Sequence, residues 1–186
     1  MVDELIEQAV QIIKDGGVIA YPTEGVFGLG CDPENQTAVK RILRMKQREM
    51  TQGLILVASS TDQVLPVTTM DPIALVQMTS VTWPGATTWV LPATDKIPAW
   101  VKGDHQGVAV RVTSHPVAYA ITQQLGRPII STSANPHHMP PATNAEQVQG
   151  YFPEHIDLII PGQVDKNLGP SEIRDSLSGK ILRKRT

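Results

Sequence analysis

The stretch from residue 87 to residue 130, "TTWVLPATDKIPAWVKGDHQGVAVRVTSHPVAYAITQQLGRPII", indicates which kind of sheet the chain forms. Residues 87–93 and 107–113 have the apolar, β-branched composition of strands, and we predict no helix between them. Residues 115–126 carry apolar side chains at helical spacing, end at a glycine, and run directly into a strand at 128–130. Two strands joined without a helix favour a mixed α/β sheet over a purely parallel one.

The rest of the chain also alternates between helices and strands. The basic tail, "SGKILRKRT", is predicted to be a last edge strand with a frayed end, and no internal repeat or low-complexity linker interrupts the sequence. We therefore expect one domain over residues 1–186. The further predicted helices cover residues 5–13, 36–48, 71–81 and 144–152, and the further strands cover 18–22, 53–58 and 157–162.

The composition excludes several classes of protein. A hydrophobic fraction of 41% is ordinary for a globular chain, and a net charge of −2 argues against a protein that coats nucleic acid. Cys31 is the single cysteine, so no internal disulfide can form. The acidic N-terminus does not resemble a signal peptide, and no apolar run could span a bilayer. The expected location is the cytoplasm, with no membrane partner.

Polar and glycine residues follow the first predicted strand in "YPTEGVFGLGCDP", residues 21–33. Thr23 and Glu24 come directly after the strand, where ligands commonly bind in α/β sheets. The glycine spacing matches neither the dinucleotide-binding fingerprint nor a Walker A loop. This segment is either a ligand-binding loop or a glycine-rich turn.

Lys46 and Arg48 end the predicted helix 36–48. Cations are favoured at a helix C-terminus by the macrodipole, which explains the pair without any ligand. Two cations beside a flexible segment could equally clamp phosphate groups, arginine in a bidentate way and lysine as a point charge.

"STSAN", residues 131–135, follows a buried strand and collects hydroxyl, amide and backbone N–H groups. It could be a turn, a nucleophilic centre or a cradle for an anion. The Gly-x-Ser-x-Gly motif of serine hydrolases is absent, which argues against the second. His137 and His138 are direct neighbours and lack the spacing that places two metal ligands on one helix face. They are expected on an exposed loop stiffened by prolines.

Two further segments carry polar residues that could bind a ligand. Arg111 lies inside "GVAVRVT", and a buried arginine needs an anionic partner, either a structural carboxylate or a substrate carboxylate. Ser171 and Arg174 lie in "LGPSEIRDS", which we predict to be a polar bend. Glu172 and Asp175 could neutralise Arg174 there.

The order of these segments, "YPTE", "GLGCDP", "KQR", "GLIL", "WPG", "AVRV", "STSAN" and "PSEIRD", resembles the YrdC/TsaC family of L-threonylcarbamoyladenylate synthases. The resemblance extends over essentially the whole chain and corresponds to the short, single-domain form. The Lys-x-Arg and Ser-x-Asn signature is met by Lys46, Arg48, Ser133 and Asn135. The resemblance implies a YrdC-like twisted mixed sheet with flanking helices and a concave, positively lined cavity.

The resemblance also implies an enzyme, a nucleotidyltransferase that joins L-threonine, bicarbonate and ATP into threonylcarbamoyl-AMP and releases pyrophosphate. Mg²⁺ is expected with ATP, and no tightly bound metal or organic cofactor is expected. Downstream proteins would transfer the threonylcarbamoyl group to the adenosine beside the tRNA anticodon.

Residue roles follow from the resemblance by position. Lys46, Arg48, Ser133 and Asn135 are the expected catalytic residues. The expected ATP-binding set is Lys46, Arg48, Ser131, Thr132, Ser133, Asn135 and Arg174. The expected threonine-binding set is Thr23, Arg111 and Ser171.

The chain departs from its relatives at two positions. Gln52 stands where bacterial relatives commonly have lysine, and Pro136-His137-His138 replaces a Leu-Ser-Gly-like loop. A rival hypothesis is an RNA-binding module, suggested by the basic tail, although an aromatic content of 4% leaves few stacking platforms. This hypothesis expects weak direct binding of RNA or tRNA.

Overall fold

The computed structural model describes residues 2–185, and the strands in that range hydrogen-bond into one sheet. The strands, numbered along the chain, are β1 (Ile19–Pro22), β2 (Phe27–Gly30), β3 (Ile55–Ala58), β4 (Thr87–Pro92), β5 (Gly107–Val112), β6 (Ile129–Ser133), β7 (Leu158–Ile159), β8 (Glu172–Asp175) and β9 (Ile181–Arg183). The helices are α1 (Val2–Lys14), α2 (Gln36–Lys46), α3 (Thr61–Val64), α4 (Pro72–Thr79), α5 (Ala99–Lys102), α6 (Pro116–Leu125) and α7 (Ala145–Tyr151), with 3₁₀ turns at Met50–Gln52 and Leu65–Val67.

The sheet is mixed, as predicted. Its strand order is β7-β1-β2-β6-β3-β5-β4-β8-β9. The pairs β1/β7, β3/β5 and β4/β8 are parallel, and the other pairs are antiparallel. β4 and β5 pair antiparallel, although the prediction of no helix between them was wrong, because the single turn α5 lies there. The predicted edge strand in the basic tail is confirmed as β9.

Two strands were not predicted. β2 lies within the segment that the sequence left as a loop or turn, and β8 lies within the predicted polar bend. β2 was not predicted because it contains two glycines, and glycine is usually depleted in strands. Here they serve close packing: a Cβ on Gly30 would lie 2.7 Å from Cε1 of Tyr21 in the neighbouring strand.

The two faces of the sheet are covered unequally. One face packs against α2, α4, α5 and α7 and forms the larger buried core. On the other face α1 and α6 pack over part of the sheet, against Ile19, Tyr21, Val57 and Ile129. Because side chains alternate between faces, Ile55 shares the face of Val57 but lies beyond these two helices, in the lining of a cavity.

Candidate functional site

The part of the sheet face beyond α1 and α6 is the floor of a cavity of about 320 Å³. Small residues on three strands of the sheet leave space at this floor: Gly28 on β2, Ser131 on β6 and Ala109 on β5. A Cβ on Gly28 would lie 3.2 Å from Oγ of Ser131, so a larger residue would intrude into this space. The cavity therefore results from missing side-chain volume on a sheet that is otherwise tightly packed.

The hairpin loop between β1 and β2 forms one side of the cavity. The Thr23 hydroxyl donates to the Val26 carbonyl at 2.6 Å, and the Thr23 backbone N–H donates to the same oxygen at 3.0 Å. A Cβ on Gly25 would come within 2.0 Å of the Gly169 carbonyl oxygen, so the loop before β8 packs directly on this hairpin. Glycine is required at position 25 by this backbone contact.

Arg111, on β5, lines the cavity and forms a buried ion pair. Its Nη2 lies 3.5 Å from Oε2 of Glu24, and their side chains are only 8% and 6% exposed. The other oxygen of Glu24 accepts from the Thr113 hydroxyl at 2.7 Å and the Ser114 backbone N–H at 2.9 Å. Burial alone would raise the pKa of Glu24, but the charge of Arg111 and these hydrogen bonds outweigh it and lower the pKa.

Both interpretations of Arg111 raised by its sequence therefore have structural support. The carboxylate of Glu24 is the internal partner, yet Nε of Arg111 is buried without a hydrogen bond among the described residues. A buried N–H group left unpaired is costly, and a ligand oxygen would satisfy it.

Lys46 links α2 to the "STSAN" segment. The sequence prediction extended this helix to residue 48, but Gln47 adopts a left-handed cap at φ 51° and ends the helix at Lys46. The Lys46 ammonium donates to the Ser133 carbonyl, and to the Asn135 carbonyl and side-chain oxygen at 2.9 and 3.1 Å. The Ser133 hydroxyl in turn donates to the side-chain oxygen of Asn135 at 2.6 Å.

These contacts join the two halves of the Lys-x-Arg and Ser-x-Asn signature. Lys46 is buried, with 6% of its surface exposed. Burial, followed by the positive charge of Arg48, lowers the pKa of Lys46 to about 7. The ammonium is thus poised near neutrality, and an arriving anion would favour its charged form.

Two further arginines line the cavity with Arg111. Arg48 donates to the Gly53 carbonyl at 2.8 Å, and Arg183 donates to the Ser171 carbonyl through Nη2 at 2.8 Å. Burial, and then the charges of Arg111 and Arg48, lower the pKa of Arg183. The positive charges of Arg48 and Arg111 both act on Arg183, so this cluster of guanidinium groups suits a strongly anionic ligand.

Most of the predicted site residues come together at this cavity. Its lining includes Thr23, Arg48, Arg111, Ser131, Thr132, Ser133 and Ser171. Lys46 and Asn135 join it through Ser133. The hydroxyl of Ser171 is buried against that of Thr88 at 2.9 Å.

Arg174 and Arg183 differ from the sequence expectation. Arg174 is outside the cavity lining: its Nε donates to Glu172 at 2.5 Å, and its guanidinium lies 5.6 Å from the ring centre of Trp89. The neutralisation by Glu172 that the sequence suggested is therefore present. Arg183 was missed because its position depends on the pairing of Ile173 with Arg183. Alternation in "SEIRD" could have indicated that Ser171 and Arg174 point to opposite faces.

The two histidines that follow the "STSAN" segment are outside the cavity lining. His137 and His138 are exposed, with ring centres 3.7 Å apart. Within residues 2–185, no three histidine, cysteine or acidic side chains are grouped so that they could hold a metal ion. No helix in this range has the length and apolar character needed to cross a membrane.

The fold and the cavity define an α/β protein with an arginine-lined cavity on the uncovered face of a mixed sheet. A family model described as "Telomere recombination", that of the Sua5/YciO/YrdC domain, matches residues 11–185. The chain belongs to this family, which confirms the resemblance inferred from the order of its motifs.

Similar proteins agree with this assignment. The threonylcarbamoyl-AMP synthase of Nitrosococcus oceani is 47% identical over 182 residues, covering 96% of each chain, and that of Coxiella burnetii strain RSA 493 is 44% identical over 179 residues, also covering 96% of each. The structure of P. abyssi Sua5 complexed with L-threonine matches with a TM-score of 0.89 at 32% identity, over 97% of this chain and 54% of that one. The present chain thus spans about half the length of that protein. E. coli YciO matches with a TM-score of 0.84 at 28% identity, over 98% of this chain and 90% of that chain.

Proposed function

We propose that this chain is a threonylcarbamoyl-AMP synthase that forms threonylcarbamoyl-AMP and pyrophosphate from L-threonine, bicarbonate and ATP. The observation that carries the proposal is the cavity itself, which gathers arginines and hydroxyls from both ends of the chain around one uncovered area of the sheet. The names of relatives at 43–47% identity and the threonine complex of P. abyssi Sua5 support it.

The amino acid would bind beside the β1–β2 hairpin. Arg111 is held there by Glu24 with its Nε unpaired, which suits it to receive the α-carboxylate of threonine. The sequence prediction also assigned Thr23 and Ser171 to threonine binding, and both residues line the cavity.

The nucleotide would bind toward the signature residues. Lys46 and Arg48 would neutralise the triphosphate, while Ser131, Thr132, Ser133 and Asn135 would offer hydrogen bonds to phosphate and bicarbonate oxygens. Arg183 joins this proposed set because it lines the cavity, and Arg174 leaves it because its side chain pairs with Glu172.

The chemistry requires positioning more than a covalent nucleophile. The threonine amine attacks bicarbonate and, with loss of water, forms an N–C bond to give a carbamate. A carbamate oxygen then attacks the α-phosphorus, and the bond to pyrophosphate breaks. Cations that neutralise the spreading charge, and walls that align the reactants, provide the rate enhancement in such a transfer.

Mg²⁺ would enter as part of the substrate. Among the described residues that line the cavity there is no aspartate or glutamate, and Glu24, close by, already pairs with Arg111. Oxygen-rich Mg²⁺ sites in proteins usually use carboxylates together with substrate phosphates. The protein groups here suit the phosphates of ATP, which would hold the ion themselves.

The product would pass to proteins that transfer the threonylcarbamoyl group to tRNA. Direct RNA binding by the basic tail is less favoured, since Arg183 and Arg185 fold back to donate to the carbonyls of Ser171 and Ala86. Binding through phosphates would weaken steeply with salt, so titrating tRNA at rising ionic strength tests it.

The decisive experiment measures pyrophosphate released from ATP in the presence and absence of threonine. Wild-type protein is expected to release it only when threonine and bicarbonate are both present. Lys46→Ala and Ser133→Ala are expected to fold and lose most of this activity, while Lys14→Ala, which alters an exposed lysine of α1, keeps it. Absence of threonine-dependent release from the wild type would refute the proposal.

A further inference from the structure

One wall of the cavity is built by two segments that meet through glycine backbones, residues 51–54 and 101–105. Gly53 and Gly103 adopt φ values of 65° and 64°, in the region that favours glycine. A Cβ on Gly103 would lie 2.3 Å from the Thr51 carbonyl oxygen, and one on Gly53 would lie 2.8 Å from that of Lys102. The backbone of Lys102 is therefore fixed against this wall.

Lys102 differs from the arginines that line the same cavity. Arg48, Arg111 and Arg183 each have an internal acceptor, namely the Gly53 carbonyl, the Glu24 carboxylate and the Ser171 carbonyl. Lys102 lines the cavity and is half-buried, yet within the described chain its ammonium has no hydrogen bond and no ion pair.

Arg48 is anchored to the same wall, because its guanidinium donates to the Gly53 carbonyl at 2.8 Å. Gln52, the neighbouring lining residue, is neutral. The wall's unpaired positive charge thus comes from position 102. A lysine on a flexible stem, with three donors available, can follow an anion that the anchored arginines approach from fixed directions.

We propose that Lys102 is a further substrate-binding residue, whose ammonium pairs with an oxyanion of the bound reactants. The proposal rests on the proposed synthase function for its substrates. The oxyanion is either a phosphate of ATP or one of the two smaller anions, the threonine carboxylate or bicarbonate, and separate kinetic measurements distinguish these sources.

The experiment compares Lys102→Ala with Lys96→Ala, which removes an exposed lysine of the same β4–β5 connection that does not line the cavity. KM is measured for ATP, threonine and bicarbonate in turn. Loss of a partly exposed charge contact is expected to raise KM for the affected reactant roughly twofold to fivefold. A rise in KM for ATP alone identifies a phosphate as the partner of Lys102. A rise in KM for threonine or for bicarbonate identifies that reactant as the partner.

Two rescue variants test whether charge is responsible. Lys102→Arg keeps the charge in place, and Gln52→Lys in the Lys102→Ala background returns a lysine to the same wall from the facing segment. A KM close to the wild-type value in either variant supports the proposal. A loss that neither variant recovers would show that charge is not the cause, and would overturn it.

A binding measurement separates this proposal from the synthase function. Inorganic pyrophosphate is added to wild type, Lys102→Ala and Lys96→Ala, and the rise in Tm is followed. Weaker protection in Lys102→Ala alone supports phosphate contact even where the wild type fails to turn over. Equal protection in all three, together with unchanged KM values for all three reactants, would overturn the Lys102 proposal and leave the synthase function standing.

Discussion

Binding of ATP to this protein is expected to take up a proton at Lys46. The side chain is buried against Ser133 and Asn135, and burial together with the charge of Arg48 lowers its pKa to about 7. If the triphosphate binds there, as we propose, its negative charge favours the ammonium form and raises the pKa again. The bound complex then holds a proton that the free protein lacks above neutral pH.

The magnitude follows from the two pKa values of Lys46. With about 7 in the free protein and a value near the ordinary 10.5 in the complex, the uptake is about 0.1 proton at pH 6, about 0.5 at pH 7 and about 0.9 at pH 8. Because ATP favours the charged ammonium, the affinity for ATP is greatest below pH 7, where Lys46 is already charged. Above pH 7 the apparent Kd for ATP rises about tenfold per pH unit.

Isothermal titration calorimetry measures this uptake directly. The apparent binding enthalpy is determined at pH 8 in two buffers with different ionisation enthalpies, and the slope of one on the other is the number of protons taken up. Lys46→Arg is the informative variant, because a guanidinium stays protonated and the slope should fall to near zero. Lys14→Arg, on the exposed face of α1, should keep the wild-type slope.

Two results would refute the reasoning. Tight ATP binding by the wild type at pH 8 with no proton uptake would mean that Lys46 is charged in the free protein, or stays neutral in the complex. An unchanged slope in Lys46→Arg would assign the proton to another group.

The remaining predictions concern the β1–β2 hairpin. Glu24→Gln removes the charge that holds Arg111, so KM for threonine should rise about tenfold and the free energy of unfolding should fall by roughly 3–5 kcal/mol, as for a broken buried ion pair. Because the pKa of Glu24 is lowered by folding, this stability difference is present above its ordinary value of 4.5 and is lost as the pH falls below it, which acid unfolding of both proteins measures. Gly25→Ala should lower Tm by several degrees, because its methyl group would lie 2.0 Å from the Gly169 carbonyl oxygen. Gly150→Ala, in α7 with open space around it, should raise Tm slightly, and an equal fall in both would contradict the steric argument.

The sequence indicated the main helices and the mixed sheet because both depend on local periodicity. The mixed sheet was predicted from the lack of a helix between residues 87–93 and 107–113, and the two strands formed there, β4 and β5, pair antiparallel. The end of α2 was predicted two residues late, because Gln47 adopts a left-handed conformation that glycine or asparagine more often marks. That cap ends the helix before Arg48.

What the sequence concealed depends on contacts between distant segments. Gly28 and Gly30 resemble a turn when considered alone, yet both lie in β2, where a Cβ would be 3.2 Å from Oγ of Ser131 and 2.7 Å from Cε1 of Tyr21, respectively. Arg183 reaches the cavity because β9 pairs with β8. Lys102 lines the cavity because residues 101–105 pack against residues 51–54. Arg174 has the composition expected of a phosphate ligand, but the alternation of its strand directs it to Trp89.

A ligand on the uncovered part of the sheet face is also expected to stabilise the folded protein. A ligand seated over Ala109 and Ser131 covers backbone that no helix of the described chain covers, and a ligand that binds only the folded state stabilises it by RT ln(1 + [L]/Kd). At a ligand concentration of one hundred times Kd this amounts to about 2.7 kcal/mol, enough to reduce the unfolded fraction roughly a hundredfold. The resistance of the protein to proteolysis would then depend on the concentration of its substrates, and a low substrate concentration would shorten the lifetime of the protein.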